Sequence, residues 1–171
     1  ENYGDSFAID PITGEITIQG PIDYEVSSIY HLTVEANDRG LDSIPGETTV
    51  IVHVLDINDN APQIVLNTLE EMSTDTAAID EDADLDTFLA HMTVTDPDTG
   101  NNGQFDCTLN DNHFELKRIY KGEYKVVTKA FLDRERQADY NLAIMCQDHS
   151  QEPQVAIKHI HVTVVDINDN T

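Results

Sequence analysis

The chain has 171 residues, 39% of them hydrophobic, and sets 33 acidic against 9 basic side chains for a formal net charge of −24. That length suits one large domain or two small ones, and the acidic excess argues against nucleic acid or an anionic membrane surface as a partner. No stretch is long and apolar enough to cross a membrane as a helix, and apolar alternation runs through too much of the chain for a disordered acidic tail.

The opening residues ENYGDSF carry no signal-peptide pattern and are expected to lie inside a longer protein. From there the elements are all β. A glycine-centred hairpin turn is expected at Ile12–Glu15. Tyr30, Leu32, Val34 and Ala36 alternate with polar residues, and so do Val50, Val52 and Val54. Period two at that length predicts half-buried strands. A second hairpin turn is expected at Tyr120–Tyr124, followed by alternation through Tyr140, Leu142, Ile144 and Cys146 and again through Ile160, Val162 and Val164. No helical period longer than two turns is present.

The pentamer Asp-Ile-Asn-Asp-Asn occurs at 56–60 and returns at 166–170, an offset of 110 residues (166 − 56 = 110). Asp23-Tyr24-Glu25 returns as Asp133-Arg134-Glu135, and Asp38 returns as Asp148, both at the same offset. Three acidic features in one register predict a tandem repeat of domain size. The expected domains are 1–60, the last part of one repeat ending in the linker 56–60, and 61–171, a whole repeat ending in the linker 166–170. About seven short strands per repeat predict an antiparallel β-sandwich of immunoglobulin-like size. Cys107 and Cys146 fall in strand-like segments. A cross-strand disulfide is geometrically open to them if the strands are neighbours, two buried thiols being the alternative.

The acids gather at strand ends and in turns, which places them at the poles of the sandwiches. Carboxylates about 4 Å apart repel by about 1 kcal/mol in water and by about 4 kcal/mol at an effective dielectric near 20. Either some of them stay protonated or a cation sits among them. An all-oxygen donor set suits Ca²⁺, whereas Mg²⁺ demands a stricter octahedron and Zn²⁺ would want His or Cys. An EF-hand is excluded: counting from Asp56, position six is Ala61 and position twelve is Asn67, where that loop needs Gly and Glu. His159 and His161 share one strand face at period two and read as exposed strand residues rather than a metal pair. An acid-pair glycosidase is disfavoured because an active site has no reason to repeat at domain spacing, and no nucleophile triad, His metal motif or phosphate loop is present.

The ordered set DYE and LDRE, AND and CQD, the two DINDN runs, DPD and NNG resembles the calcium motifs of extracellular cadherin repeats, over the whole chain. The segment FDCTLNDNHFEL, with its cysteine, is similar to a protocadherin-type repeat. The resemblance implies tandem Greek-key β-sandwiches, the first incomplete, with about three Ca²⁺ ions at the junction. Asp23 and Glu25 would supply ligands from the first repeat. Asp56, Asn58 and Asp59 would supply side chains from the linker, and Ile57 and Asn60 carbonyls. Asp96, Asp98, Asn102 (by its carbonyl) and Asp148 would come from the second repeat. Seven carboxylates then face six positive charges. Asp38 would belong to a preceding junction. Glu81, Asp133, Glu135, Asp166, Ile167, Asn168, Asp169 and Asn170 would belong to a following one. The implied function is calcium-dependent adhesion at the extracellular face of the plasma membrane. Other cadherins would be the partners, homophilically, and the anchor would lie outside this chain. A calcium-stiffened mechanical spacer is the alternative. The chain has no tryptophan, so the tryptophan exchange of classical cadherins is not expected.

Overall fold

The computed structural model describes residues 6–38, 40, 44–68 and 75–167. The chain divides into two units, Glu1–Ile57 and Asn58–Thr171, each with its own apolar core.

In the first unit, β1 (Phe7–Ile9) and β2 (Ile16–Ile18) form an antiparallel hairpin. Asp10 shapes its turn, its Oδ1 accepting the amides of Ile12 and Thr13 at 2.8 Å each. Gly14 completes the turn at a φ of 73°, a conformation that glycine adopts at no steric penalty. The predicted alternating runs become β3 (Ile29–Ala36) and β4 (Gly46–His53), antiparallel, with Tyr30 opposite Val52 and Leu32 opposite Val50. Phe7, Tyr30 and Leu32 are the buried residues of this core. The Phe7 and Tyr30 rings meet edge to face with centroids 5.0 Å apart, a favourable aromatic geometry.

The second unit is a sandwich of two four-stranded sheets. One has the order β5-β7-β10-β9 and the other β6-β12-β11-β8, over β5 (Gln63–Thr68), β6 (Thr76–Asp80), β7 (Phe88–Thr95), β8 (Phe105–Leu109), β9 (Phe114–Tyr120), β10 (Glu123–Thr128), β11 (Asp139–Asp148) and β12 (Val155–Val165). All pairings are antiparallel except β6 with β12. Eight strands replace the expected seven because the opening strands join different sheets: β5 pairs with β7, whereas β6 pairs with β12.

Alternation along β11 buries Tyr140, Leu142, Ile144, Cys146 and Asp148 on one face. Ile160, Val162 and Val164 do the same along β12. They pack with Leu66, Leu89, Met92, Phe114 and Val126 in one core. A bulge between Val126 and Val127 breaks the alternation of β10, so Val126, Val127 and Thr128 are all buried. Cys107 on β8 lies directly opposite Cys146 on β11, with Cα atoms 4.1 Å apart, and the two form a disulfide. This staples the edge strand β8 to its neighbour. The pairings also fix two poles. The start of β5, the ends of β7 and β11 and the start of β8 share one pole; the ends of β6, β10 and β12 share the other.

Candidate metal centre

At the first pole of the second unit, three segments converge. Asp96 and Asp98 sit in the loop that follows β7, Asp148 ends β11, and Asn58, Asp59 and Asn60 lead towards β5. Asp98 is 6% exposed and Asp148 only 2%, a depth at which aspartate is rare unless paired. Among the described residues neither has a Lys or Arg partner: the ion pairs of Lys117, Lys125, Arg134 and Lys158 go to Asp86, Glu115, Asp166 and Asp75.

Amides hold these acids instead. The Asn60 side-chain nitrogen donates to Asp98 Oδ1 and to Asp59 Oδ1, each at 2.8 Å, and its backbone amide donates to Asp98 Oδ2 at 3.3 Å. The carboxylate oxygens of Asp59 and Asp98 lie within 4.8 Å of each other. Asp96 Oδ1 accepts the amide of Asp98 at 3.1 Å, closing the loop on itself. The Asn58 side-chain nitrogen donates to Asp148 Oδ2 at 3.1 Å, Ser150 Oγ at 2.9 Å and the Glu152 carbonyl at 3.0 Å. The Gln154 side chain donates to the Asn58 carbonyl at 2.8 Å. Asp148 also accepts the amides of Ser150 at 2.9 Å and Gln154 at 2.8 Å. Burial opposes its ionisation, yet the hydrogen bonds from Ser150, Gln154 and Asn58 outweigh burial and hold its carboxyl below the ordinary carboxylate value.

Two features fit a bound hard cation. Asn58 Oδ1 is shielded from solvent with no donor to satisfy it among the described residues; a buried acceptor left so costs about 1–3 kcal/mol. The donors are carboxylate, amide and carbonyl oxygens throughout, the set that Ca²⁺ prefers. Gly103, the last residue of the NNG motif, shapes the loop: a Cβ there would collide with the Asp98 carbonyl oxygen. Asn102, half-buried, donates its amide to the Thr99 carbonyl at 3.1 Å. Ser150 and Gln154, which anchor Asn58, carry no motif of their own and were not legible.

At the second pole, Glu81 is 8% exposed while Asp80 and Asp82 beside it face solvent. Its two oxygens accept the amides of Ile167 at 2.7 Å and Arg134 at 3.2 Å. Arg134 lies 3.8 Å from Asp166. Asp133 Oδ1 caps its turn by accepting the Arg136 amide at 2.9 Å, and Glu135 is exposed. Asn168, Asp169 and Asn170 lie outside the described residues. In the first unit, Asp23 Oδ1 accepts the amides of Glu25 at 2.9 Å and Val26 at 3.2 Å, the same capped turn. Glu25 is exposed, Asp56 half-buried and Ile57 exposed. Asp38, exposed, accepts the Gly40 amide at 2.7 Å.

A family model for the cadherin domain matches residues 1–55 and 75–165. Protocadherin-12 of Mus musculus is 40% identical over 167 residues, which is 96% of this chain and 14% of that protein. Two solved structures are similar along most of the chain. Protocadherin gamma B2 extracellular cadherin domains 3–6 match with a TM-score of 0.88 at 33% identity, over 99% of this chain and 38% of that one. The protocadherin gammaB7 EC3–6 cis-dimer structure matches with a TM-score of 0.86 at 36% identity, over 98% and 39%. The chain thus spans a small part of the length of the curated relatives it matches. With the sandwich, the doubled acidic motifs and these likenesses in agreement, the chain belongs to the cadherin family, among ectodomains of the protocadherin type.

Proposed function

We propose that this chain is a calcium-stiffened segment of an extracellular adhesion rod. The observation that carries the reading is the first pole of the second unit, where buried Asp98 and Asp148 are gathered with linker residues Asn58–Asn60 and, among the described residues, no Lys or Arg neutralises them. Residues of the chain would divide the work. Asp23, Glu25 and Asp56 would offer carboxylates from the first unit, with the Ile57 carbonyl. Asn58, Asp59, Asn60, Asp96, Asp98, Asn102 and Asp148 would complete the set from the second. Bound Ca²⁺, about three ions, would supply the positive charge that lets seven carboxylates share one junction. Without that charge the linker acids repel and the junction loosens. The second pole, with Glu81, Asp133, Glu135, Asp166 and Ile167, offers half of a further junction of the same kind, to which Asn168, Asp169 and Asn170 would add. Asp38 would serve a preceding one.

Family membership and the cis-dimer formed by the gammaB7 protocadherin support an adhesive role. In this chain the partner would be a second cadherin, homophilically, at the outer face of the plasma membrane. Titration with Ca²⁺ and a chelator, followed by melting and small-angle scattering, tests the calcium reading. Extracellular modules bind Ca²⁺ with dissociation constants of about 10⁻⁴–10⁻³ M. Saturation at 100 times that constant would stabilise by about 2.7 kcal/mol. A melting temperature and scattering curve indifferent to chelation would refute it. Sedimentation of the chain in calcium separates adhesion from a spacer role: a monomer at all concentrations favours the spacer.

A further inference from the structure

A second concave site lies beside the candidate metal loop, and its chemistry is opposite in sign. A cavity of about 310 Å³ is lined by Gln104, Phe105, Asp106, Arg118, Lys121 and His149, together with Gly103. The chain holds only 9 Lys and Arg against 33 acids. In such a protein a basic side chain should find a carboxylate, and Lys117, Lys125, Arg134 and Lys158 do. Arg118 and Lys121 make no ion pair among the described residues. The Arg118 Nε donates to the Tyr120 carbonyl at 3.2 Å, which leaves its terminal nitrogens for a ligand. Lys129 and Arg136 also stand without ion pairs among the described residues, but they do not line this cavity. The one acid of the pocket, Asp106, is engaged by His149, Nε2 to Oδ2 at 2.9 Å.

We propose that this pocket binds a single acidic sugar residue, a pyranose carrying one carboxylate or one sulfate. Arg118 and Lys121 supply the positive charge for the oxyanion, with Arg able to grip a planar carboxylate or a sulfate edge through two nitrogens. The half-buried Phe105 ring gives an apolar floor, while Asp106 and the Gln104 side chain offer acceptors for sugar hydroxyls. The volume is at the lower end of small-molecule sites, about 300–1,000 Å³, and suits a monosaccharide. The net charge of −24 repels a long polyanion, so a glycan with one terminal charge is preferred over a sulfated polymer.

Saturation-transfer NMR on the full chain in millimolar calcium tests this, with 3′-sialyllactose, galactose 6-sulfate, lactose and a heparin hexasaccharide as probes. At least one of the two charged sugars should bind and lactose should not; the stronger of the two names the oxyanion. The R118Q/K121Q variant should weaken that binding at least tenfold with an unchanged melting temperature, and Lys121→Gln alone by several-fold. The K129Q/R136Q control should bind as the wild type does. Charged sugars no better than lactose, binding untouched in R118Q/K121Q, or binding confined to the heparin hexasaccharide would each overturn the proposal. None of these outcomes depends on whether chelation alters the melting temperature.

Discussion

The ribbons β3–β4 and β11–β12 are the same object written twice. Tyr30 faces Val52 and Leu32 faces Val50 in the first; Tyr140 faces Val162 and Leu142 faces Ile160 in the second, each 110 residues on. Yet Ile160 and Val162 are completely buried, while Val50 and Val52 are only half-buried. The difference lies in what covers the face. The second ribbon packs against the four-stranded sheet β5-β7-β10-β9, whereas the first meets Phe7 and Ile16 of a two-stranded hairpin. Alternation specifies pairing and register; the facing layer decides how much apolar surface leaves water.

The widest gap between the ribbons should appear on truncating their twin leucines. Leu142→Ala removes a side chain 1% exposed in the larger core and should cost about 4 kcal/mol in urea unfolding. Leu32→Ala, at a site 9% exposed among half-buried neighbours, should cost about 2 kcal/mol because the opened space collapses or fills with water. Equal losses would mean that the facing sheet adds nothing. The ribbons differ next in their third strand. Only β11 is tied to an edge strand by a disulfide, between residues 39 apart in sequence. The double variant C107S/C146S should lose about 3 kcal/mol, read by the same unfolding curves, with the loss confined to the second unit in hydrogen exchange.

Much of this architecture could be read from the residues. The four alternating runs became strands where expected, and the turns at Gly14 and Gly122 both carry φ of 73°. Other parts were hidden for physical reasons. Ile64 and Leu66 alternate as well as Ala77 and Ile79 do, and nothing in period two says that the two runs join different sheets. The bulge at Val126–Val127 yields a continuous buried run that mimics no simple period. At the candidate centre the acids announced themselves by repetition, but the residues that orient them did not. Ser150, Gln154 and the Glu152 carbonyl act through position alone, and Gly103 stood in the NNG motif without the reason for it, the nearness of the Asp98 carbonyl.

Those silent residues give the next contrast, between the ends of the two ribbons. Gly103→Ala forces the Asp98 turn outward and should cost about 2 kcal/mol, the scale of overpacking at a closed contact. On the proposed reading it should also weaken calcium binding, measured by calorimetry, about tenfold. For a Cβ at Gly40, two residues after Asp38 in the first unit, the nearest atoms among the described residues belong to the flexible Asp38 side chain, at 3.0 Å. Gly40→Ala should therefore leave both quantities nearly unchanged.

The smallest effect is the most specific. Asp38 and Asp148 are twins by register, but Asp38 is exposed and accepts the Gly40 amide, whereas Asp148 is buried and accepts from Ser150, Gln154 and Asn58. Asn58→Ala deletes one donor to Asp148 and two further hydrogen bonds, to Ser150 and Glu152. It also deletes the shielded Oδ1 that has no donor of its own among the described residues. In chelator the two changes oppose each other: lost hydrogen bonds destabilise, while removal of an unsatisfied acceptor relieves a penalty. The net loss should be about 1 kcal/mol. In saturating calcium the loss should grow, because Oδ1 is then one of the proposed ligands. A loss equal in both conditions would make Asn58 a brace for Asp148 and no part of a metal site. Asp38→Asn, at the exposed twin, should alter stability in chelator by no more than a few tenths of a kcal/mol, as surface substitutions do.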